Sequence, residues 1–179
     1  MNKIKFIRKV AAVGAIYLAG TGIAGEVVQA KKPAFLLSNT CVETSGRWGT
    51  SREEISVGKE LFTSVMYMTS GYYGGDGQPS SMTCRIRPAG SASKFKTLRL
   101  AFGIADNARK GQVTVSVHLD GNQVASRTIS SGEKELLLID VSKASSLAVE
   151  TSCSSECPVF VNVFQALLEP VSSRPSQRR

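Results

Sequence analysis

The chain of 179 residues has a formal net charge of +8, but all of this net charge lies outside the part that can fold. Residues 1–30 hold four basic and one acidic residue, and five more basic residues lie at 31–32 and 174–179, so residues 33–170 hold thirteen of each sign. This balance does not indicate the basic face that nucleic-acid binding requires, and nucleic acid is not an expected partner. About 140 residues remain, enough for one ordinary core, and we predict a single folded domain.

Residues 1–30 have the order of a secretory signal. Four basic residues precede an apolar stretch, 10–24, and Val28-Gln29-Ala30 ends the segment with a small residue. We predict cleavage after Ala30 and a secreted or periplasmic protein. An uncleaved membrane anchor is the alternative, but the stretch is short, contains glycines and is followed by Glu26. No membrane span is predicted after the signal.

All four cysteines follow the predicted cleavage site, and an even number in an exported chain favours disulfides. Three pairings exist. We favour Cys153 with Cys157, which are close in sequence, and Cys41 with Cys84, which would tie the N-terminal segment 31–54 to the domain. A four-thiolate zinc site is the alternative, but such sites usually have two close cysteine pairs and this chain has one.

From residue 55 onward, short apolar and β-branched runs are separated by turn residues, which is typical of an all-β fold. About eight strands are predicted, at 61–68, 82–87, 98–104, 113–119, 123–129, 135–141, 146–151 and 159–168. A tight hairpin turn is predicted at Asp120-Gly121-Asn122. This pattern predicts a two-sheet β-sandwich or jelly roll over residues 55–170.

Two segments are predicted to lie outside the strands. The stretch 69–81 contains four glycines and Pro79, and it is predicted to be a mobile surface loop that holds no strand. The segment 171–179 consists mainly of serine, proline and arginine and has nothing apolar to bury after Val171. It is predicted to be a disordered basic tail.

Several short motifs between residues 55 and 168 follow one another in a characteristic order. They are Phe95-Lys96-Thr97-Leu98, Gly103-Ile104-Ala105-Asp106, the run 113–121 with its Leu-Asp-Gly turn, Ile139-Asp140-Val141-Ser142 and Leu147-Ala148-Val149. In order and spacing the chain resembles the NPCBM family of carbohydrate-binding-like modules. The resemblance implies a galactose-binding-type jelly roll and a glycan as partner.

The last strand departs from that family's pattern. Asn162 stands where family members often have an acid, and Val163 stands where they often have a tryptophan. A sugar or metal site built on those two residues would be missing from this chain.

No catalytic constellation is recognisable, and we predict that the protein is not an enzyme and needs no cofactor. The single histidine, His118, is expected to be a solvated residue on the wet face of a strand. Glu53 and Glu54 are adjacent, but neighbours on an extended chain point to opposite faces, so both are expected to be solvated. No nucleophile elbow, zinc-protease helix or phosphate loop is present.

Candidate sugar-binding residues combine aromatic rings with polar groups, because rings stack on apolar sugar faces while amides and charges bind hydroxyls. The candidates are Trp48 with Arg47, and Tyr72 and Tyr73 with Asp76 and Gln78 in the glycine-rich loop. The alternatives are that Trp48 caps an edge of the sandwich and that the tyrosines fold back onto the sheet. The pair Asp106-Asn107 could join a structural calcium site, although a simple turn is the more economical explanation.

Two functions from different classes fit the sequence. The first is an exported, non-catalytic carbohydrate-binding-like module that recognises envelope or extracellular glycans. The second is a structural or protein-interaction β-sandwich of the cell envelope that has lost sugar binding. An enzyme inhibitor or accessory factor is a third and weaker hypothesis.

Overall fold

The computed structural model describes residues 32–70 and 79–171. Within them the chain forms thirteen strands and one short 3-10 helix, Leu36–Ser38. The strands are β1 (Ala34–Phe35), β2 (Thr40–Ser45), β3 (Arg47–Thr50), β4 (Glu54–Val57), β5 (Glu60–Thr63), β6 (Met66–Ser70), β7 (Ser80–Arg85), β8 (Phe95–Gly103), β9 (Gln112–Leu119), β10 (Asn122–Ser130), β11 (Lys134–Asp140), β12 (Ser146–Ser155) and β13 (Val159–Pro170). The predicted signal segment and most of the predicted tail lie outside the described residues.

The strands form two main antiparallel sheets that pack as a sandwich, which confirms the predicted fold class. The larger sheet has the order β11-β8-β13-β6-β3, with β1 paired to β13, and the smaller sheet has the order β10-β9-β12-β7-β2. Strands β4 and β5 form a separate two-stranded hairpin. The predicted turn at residues 120–122 does connect β9 to β10, and Asp120 and Gly121 both have positive φ.

Alternation along the central strands builds the core between the sheets. Leu98, Leu100 and Phe102 of β8 are at most 1% exposed, and the valines at 113, 115 and 117 of β9 are equally buried. Successive side chains of a strand point to opposite faces, so the residues between them face outward. The sequence pattern predicted this arrangement correctly.

The N-terminal segment contributes to both sheets instead of standing beside the sandwich. Strand β1 pairs with β13, β2 pairs with β7, and β3 pairs with β6. The disulfide Cys41–Cys84 joins two directly paired residues of β2 and β7, and the disulfide Cys153–Cys157 closes a short loop after β12. Both favoured pairings are therefore present, and the β-sandwich begins before residue 55.

Two strand predictions need correction. The predicted strand 61–68 is interrupted, because β5 ends at Thr63 and β6 begins at Met66. The predicted loop 69–81 is shorter than expected, because β6 continues through Ser70 and β7 begins at Ser80. Both of these serines are fully buried, and the Ser70 hydroxyl donates to the Thr151 carbonyl at 3.3 Å. Small hydroxyl side chains can be buried at strand ends when they have backbone hydrogen-bond partners. The loop prediction rested on the glycine content of 69–81 and therefore included these two serines.

The β4–β5 hairpin covers part of the outer face of the larger sheet. Phe102 faces the core, so Gly103 faces outward, and a Cβ at Gly103 would lie 3.1 Å from a methyl group of the fully buried Val57. Phe62 of the hairpin stacks on Phe164 with ring centroids 4.6 Å apart. Lys134 of β11 pairs with Glu60 at 2.6 Å, and Glu60 is directly paired with Val57 at the turn end of the hairpin. Among the described residues, no helix is long and apolar enough to cross a membrane.

Candidate functional site

A cleft of about 590 Å³ lies on the outer face of the larger sheet, beside the β4–β5 hairpin. Three chain segments meet there: the sheet itself, the connection from β3 to β4, and the connection from β8 to β9. The lining residues are Thr50, Tyr67, Phe160 and Asn162 of the sheet, Ser51, Arg52 and Glu53 of the first connection, Asn107 of the second, and Ile55 of the adjoining strand β4. We call this the Tyr67 cleft.

An aromatic pair forms the apolar part of the Tyr67 cleft. The rings of Tyr67 and Phe160 meet edge to face, with centroids 5.8 Å apart and an interplanar angle of 61°. Phe160 is 48% exposed, although it lies in a strand whose neighbours Val159 and Val161 are buried. A half-exposed aromatic ring beside a second ring is a surface that can stack against an apolar ligand face.

Gly49 makes room for the tyrosine ring. It is directly paired with Tyr67 across β3 and β6. A Cβ at Gly49 would lie 2.8 Å from the Tyr67 hydroxyl oxygen and 2.9 Å from the adjacent ring carbon. Any larger residue would therefore displace the ring that lines the cleft.

The polar rim of the cleft is carried by a short connection that backbone hydrogen bonds fix in place. The Ser51 N–H donates to the Val65 carbonyl at 3.1 Å, and the Ser64 N–H donates to the Glu53 carbonyl at 2.8 Å. These bonds hold Arg52 and Glu53 at the cleft edge. Within the described part of the chain, neither of their side chains has a hydrogen bond or ion pair, so both are available to a ligand.

Asp106 positions its neighbour Asn107 at the other edge of the cleft. One carboxylate oxygen accepts a hydrogen bond from the Gly58 N–H at 2.7 Å, and the other accepts from the Ser56 hydroxyl at 2.5 Å and the Lys59 N–H at 3.1 Å. These bonds, led by the Ser56 hydroxyl, hold the pKa of Asp106 below its ordinary value of 3.8. Both oxygens therefore connect the β8–β9 loop to the β4–β5 hairpin.

This geometry corresponds to the turn interpretation of Asp106-Asn107 more closely than to the calcium site. Among residues 32–70 and 79–171, no group of three or more His, Cys, Asp or Glu side chains could hold a metal ion.

We expect Asp106→Asn to lower the melting temperature near neutral pH, because an amide cannot accept all three hydrogen bonds. A carboxyl whose pKa is lowered by folding stabilises the fold above its unfolded pKa, and this stabilisation is lost as pH falls through the folded pKa. The difference between the wild-type and variant melting temperatures should therefore shrink below about pH 4. Melting curves across this range measure it, with Glu53→Gln as the control; a difference that stays constant with pH would contradict the expectation.

Trp48 occupies the inner side of the sheet edge. It is directly paired with Met68, which is fully buried, and its half-buried ring packs against the core. Its indole Nε1 is buried and has no hydrogen-bond partner within the described residues. This is the position of the edge cap that was the alternative to a stacking platform.

Its neighbour Arg47 is exposed, and its backbone N–H and carbonyl both bond to the Ser80 hydroxyl. The four loop candidates, Tyr72, Tyr73, Asp76 and Gln78, lie outside the described residues.

We expect Trp48→Ala to destabilise the fold by about 3 kcal/mol, the lower end of the range for losing a large core aromatic, because the ring is only half buried. Trp48→Phe should cost far less, because the lost indole N–H has no partner. Urea denaturation of both variants measures the effect, with the exposed Phe160→Ala as an aromatic control. A Trp48→Ala variant as stable as the control would show that the ring does not cap the core.

His118 lies on the outward face of β9, as expected, but it is only partly exposed. Its Nε2 is buried and has no hydrogen-bond partner within the described part of the chain. The reason is its place on the central strand β9, where Gln123 and Ala148 flank it on the two adjacent strands. Glu53 and Glu54 are both exposed, as expected, and Glu54 accepts a hydrogen bond from the Thr63 hydroxyl.

Asn162 was noted in the sequence only as a departure from the family pattern. In the structure it pairs directly with Tyr67 and lines the cleft. The alternation of Val159, Val161 and Val163 with Phe160 and Asn162 is the signal that could have placed both outward-facing residues in one site.

The sequence matches no protein-family model and no curated protein. Its structure is similar to a CBM51 module from Clostridium perfringens GH95 in complex with methyl-galactose, with a TM-score of 0.57 and 8% identity over 76% of this chain and 99% of that one. It is also similar to the CBM51-2 and INT domains of Clostridium perfringens ZmpB, with a TM-score of 0.60 and 14% identity over 83% of this chain and 34% of that one. A structure of CBM51-2 and INT with GlcNAc gives a TM-score of 0.52 at 14% identity, over 77% of this chain and 32% of that one.

The chain thus spans about a third of the two ZmpB structures and nearly all of the GH95 module. At these identities the similarity shows the fold. The chain has the galactose-binding-like β-sandwich fold of carbohydrate-binding modules.

Proposed function

We propose that this chain is an exported, non-catalytic carbohydrate-binding module of the NPCBM type that binds envelope or extracellular glycans in the Tyr67 cleft. The observation that carries the proposal is the combination of the Tyr67–Phe160 ring pair with Asn107, Asn162 and Arg52 in one cleft. Sugar rings stack their apolar faces on aromatic side chains, while amides and guanidinium groups bind their hydroxyls. The fold shared with carbohydrate-binding modules supports the same conclusion.

The lining of the cleft favours binding without hydrolysis. Glycoside hydrolysis ordinarily uses two carboxyl groups on either side of the scissile bond. Among the described lining residues, Glu53 at the edge of the cleft carries the single carboxylate.

Export is supported by the two disulfides, which persist in oxidising compartments. We expect the exported protein to begin at Lys31 and to contain no free thiol. Intact-mass measurement and thiol titration of protein recovered from the medium or periplasm test this. Retention of residues 1–30, or titratable thiols in the folded protein, would contradict it.

A glycan array with the domain from residue 31, run with calcium and with a chelator, tests the proposed function. Because methyl-galactose and GlcNAc are bound by the structurally similar modules, galactosides and N-acetylglucosaminides are the first probes. We expect binding that does not depend on calcium, because the Asp106 oxygens already have hydrogen-bond donors. A folded domain that binds no glycan on the array would contradict the proposal.

A protein-interaction module is the second candidate, and one observation favours it. Leu136 and Leu138 are 49% and 59% exposed on β11, an edge strand of the larger sheet. Exposed apolar residues on an unpaired edge are a template for association. If this candidate is correct, replacing both leucines with lysine should abolish partner capture without altering glycan binding.

A further inference from the structure

A second cleft, of about 530 Å³, lies on the outer face of the smaller sheet, away from the Tyr67 cleft. The polar residues of its lining are Thr40, Thr83, Arg85, Arg87, Ser145 and Ser146, and no acidic residue lines it within residues 32–70 and 79–171. We call it the arginine cleft. It differs from the Tyr67 cleft, whose lining combines aromatic rings, amides, one arginine and one acid. The described lining of the arginine cleft instead combines two guanidinium groups with hydroxyl groups.

The register of three strands builds this cleft. Thr40, Arg85 and Ser146 form one directly paired row across β2, β7 and β12. Cys84, the neighbour of Arg85, is fully buried in the core, so Arg85 faces outward. The exposed Arg85 side chain therefore lies between two hydroxyl groups and has no hydrogen bond or ion pair among residues 32–70 and 79–171.

Arg87 is held in a fixed orientation by acceptors on the loop before β12. Its Nη2 donates to the Lys143 carbonyl at 2.7 Å and to the Ser145 hydroxyl at 2.9 Å, and its Nε approaches the same hydroxyl at 3.3 Å. These bonds leave Nη1 without a partner in the described part of the chain. An arginine oriented in this way loses little conformational freedom when a ligand binds.

Asp120 is the acid that interacts electrostatically with Arg87, but its carboxylate is already occupied. It accepts hydrogen bonds from the Ser145 N–H at 3.0 Å, and from the Ser146 N–H at 2.8 Å and hydroxyl at 3.1 Å. It forms no ion pair with Arg87. The two arginines therefore keep hydrogen-bonding capacity that no acid of the described residues uses.

We propose that the arginine cleft binds an oxyanion group of an acidic glycan, either a sulfate ester or a uronate carboxylate. Guanidinium groups present paired N–H donors that match the oxygens of both groups, and charge-assisted bonds of this kind are about twice as strong as neutral ones. The Thr40 hydroxyl supplies a further donor, whereas the Ser146 hydroxyl already donates to Asp120. That the anionic group belongs to a glycan rests on the proposed function, whereas the oxyanion-binding site itself does not.

Three tetrasaccharide probes separate the two sources and the two clefts: a keratan sulfate tetrasaccharide, its desulfated counterpart and tetragalacturonate. Calorimetric titration of the mature domain should show tighter binding of at least one anionic probe than of the neutral one. The preferred anionic probe identifies sulfate or carboxylate as the recognised group. Equal affinity for all three would overturn the proposal.

Variants locate the binding. Arg85→Ala should weaken the anionic probe about tenfold, the value of one charge-assisted hydrogen bond, and leave the neutral probe unchanged. Arg87→Lys keeps the positive charge but loses the paired N–H donors of the guanidinium group, so it should also weaken anion binding. Arg127→Ala removes one positive charge from strand β10 as the control. If Arg127→Ala weakens the anionic probe as much as Arg85→Ala, the attraction is general electrostatics and the site is refuted.

The Tyr67→Ala variant tests the arginine cleft separately from the glycan site that was proposed in the Tyr67 cleft. It should retain anion binding at the arginine cleft while losing the neutral probe. Loss of the anionic probe in Tyr67→Ala, with no effect of Arg85→Ala, would place the acidic ligand in the Tyr67 cleft and overturn the second site. Circular dichroism of each variant confirms that it is folded.

Discussion

Replacing Tyr67 and Phe160 together with alanine is expected to reduce glycan affinity at least about 100-fold, a loss of roughly 2.7 kcal/mol for the two strongest contacts of the site. The two rings form the apolar part of the cleft, with centroids 5.8 Å apart. Without them the amides and charges that remain would bind hydroxyl groups in competition with water. Calorimetric titration with the best glycan from the array measures the effect.

The controls for this prediction separate stacking from folding. Phe160 is 48% exposed, so Phe160→Ala alone should weaken binding with little effect on the melting temperature. Tyr67→Phe keeps the ring and removes the hydroxyl, so it should retain most of the affinity. Leu138→Ala, on the far edge strand of the same sheet, removes exposed apolar surface elsewhere and should change nothing. Unchanged affinity in the double alanine variant would refute the Tyr67 cleft as the glycan site.

The central strands could be predicted from the sequence because each carries its own alternation. Three alternate residues of β8 (Leu98, Leu100 and Phe102) and three of β9 (Val113, Val115 and Val117) are apolar and buried. The turn residues Asp120-Gly121-Asn122 then predict the chain reversal between β9 and β10. Local pattern is sufficient where a strand buries one face along its whole length. The two disulfides followed from spacing and from an even count in the same way.

The N-terminal strands could not be predicted because pairing, not composition, determines them. Strand β2 (Thr40–Ser45) has mostly exposed side chains, and β3 contains a glycine, so neither shows a buried periodic face. Their backbones are ordered by β7 and β6, which come later in the chain. Strand propensity depends on such neighbours more than on the residues themselves.

The Tyr67 cleft was missed for a related reason. Its residues come from four separate parts of the sequence, and the register of β6 against β13 brings Tyr67 beside Asn162. No single motif contains both. The sequence instead suggested Trp48 beside Arg47, but the ring of Trp48 packs against the core because this residue pairs with the fully buried Met68.

Removing the Cys41–Cys84 disulfide is expected to have the largest effect on stability. Its cysteines are 43 residues apart, against 4 for Cys153–Cys157. In the chain-entropy account, the longer loop restricts the unfolded chain more, so Cys41→Ala with Cys84→Ala should cost about 4 kcal/mol and the other pair about 2 kcal/mol. Domains of this size are stable by only about 5–15 kcal/mol, so the first loss is a large share.

Urea denaturation of the two double-alanine variants, each compared with the wild type, measures this difference. Alanine is preferable to serine, because Cys84 is fully buried and a hydroxyl there would add its own burial cost. The Cys41–Cys84 bridge also joins β2 to β7, so its loss should free the N-terminal strands first, which hydrogen exchange on residues 40–45 would detect. If the two variants lose equal stability, or if the short-loop variant loses more, the unfolded-chain explanation is wrong, and native-state packing around each bridge determines its contribution.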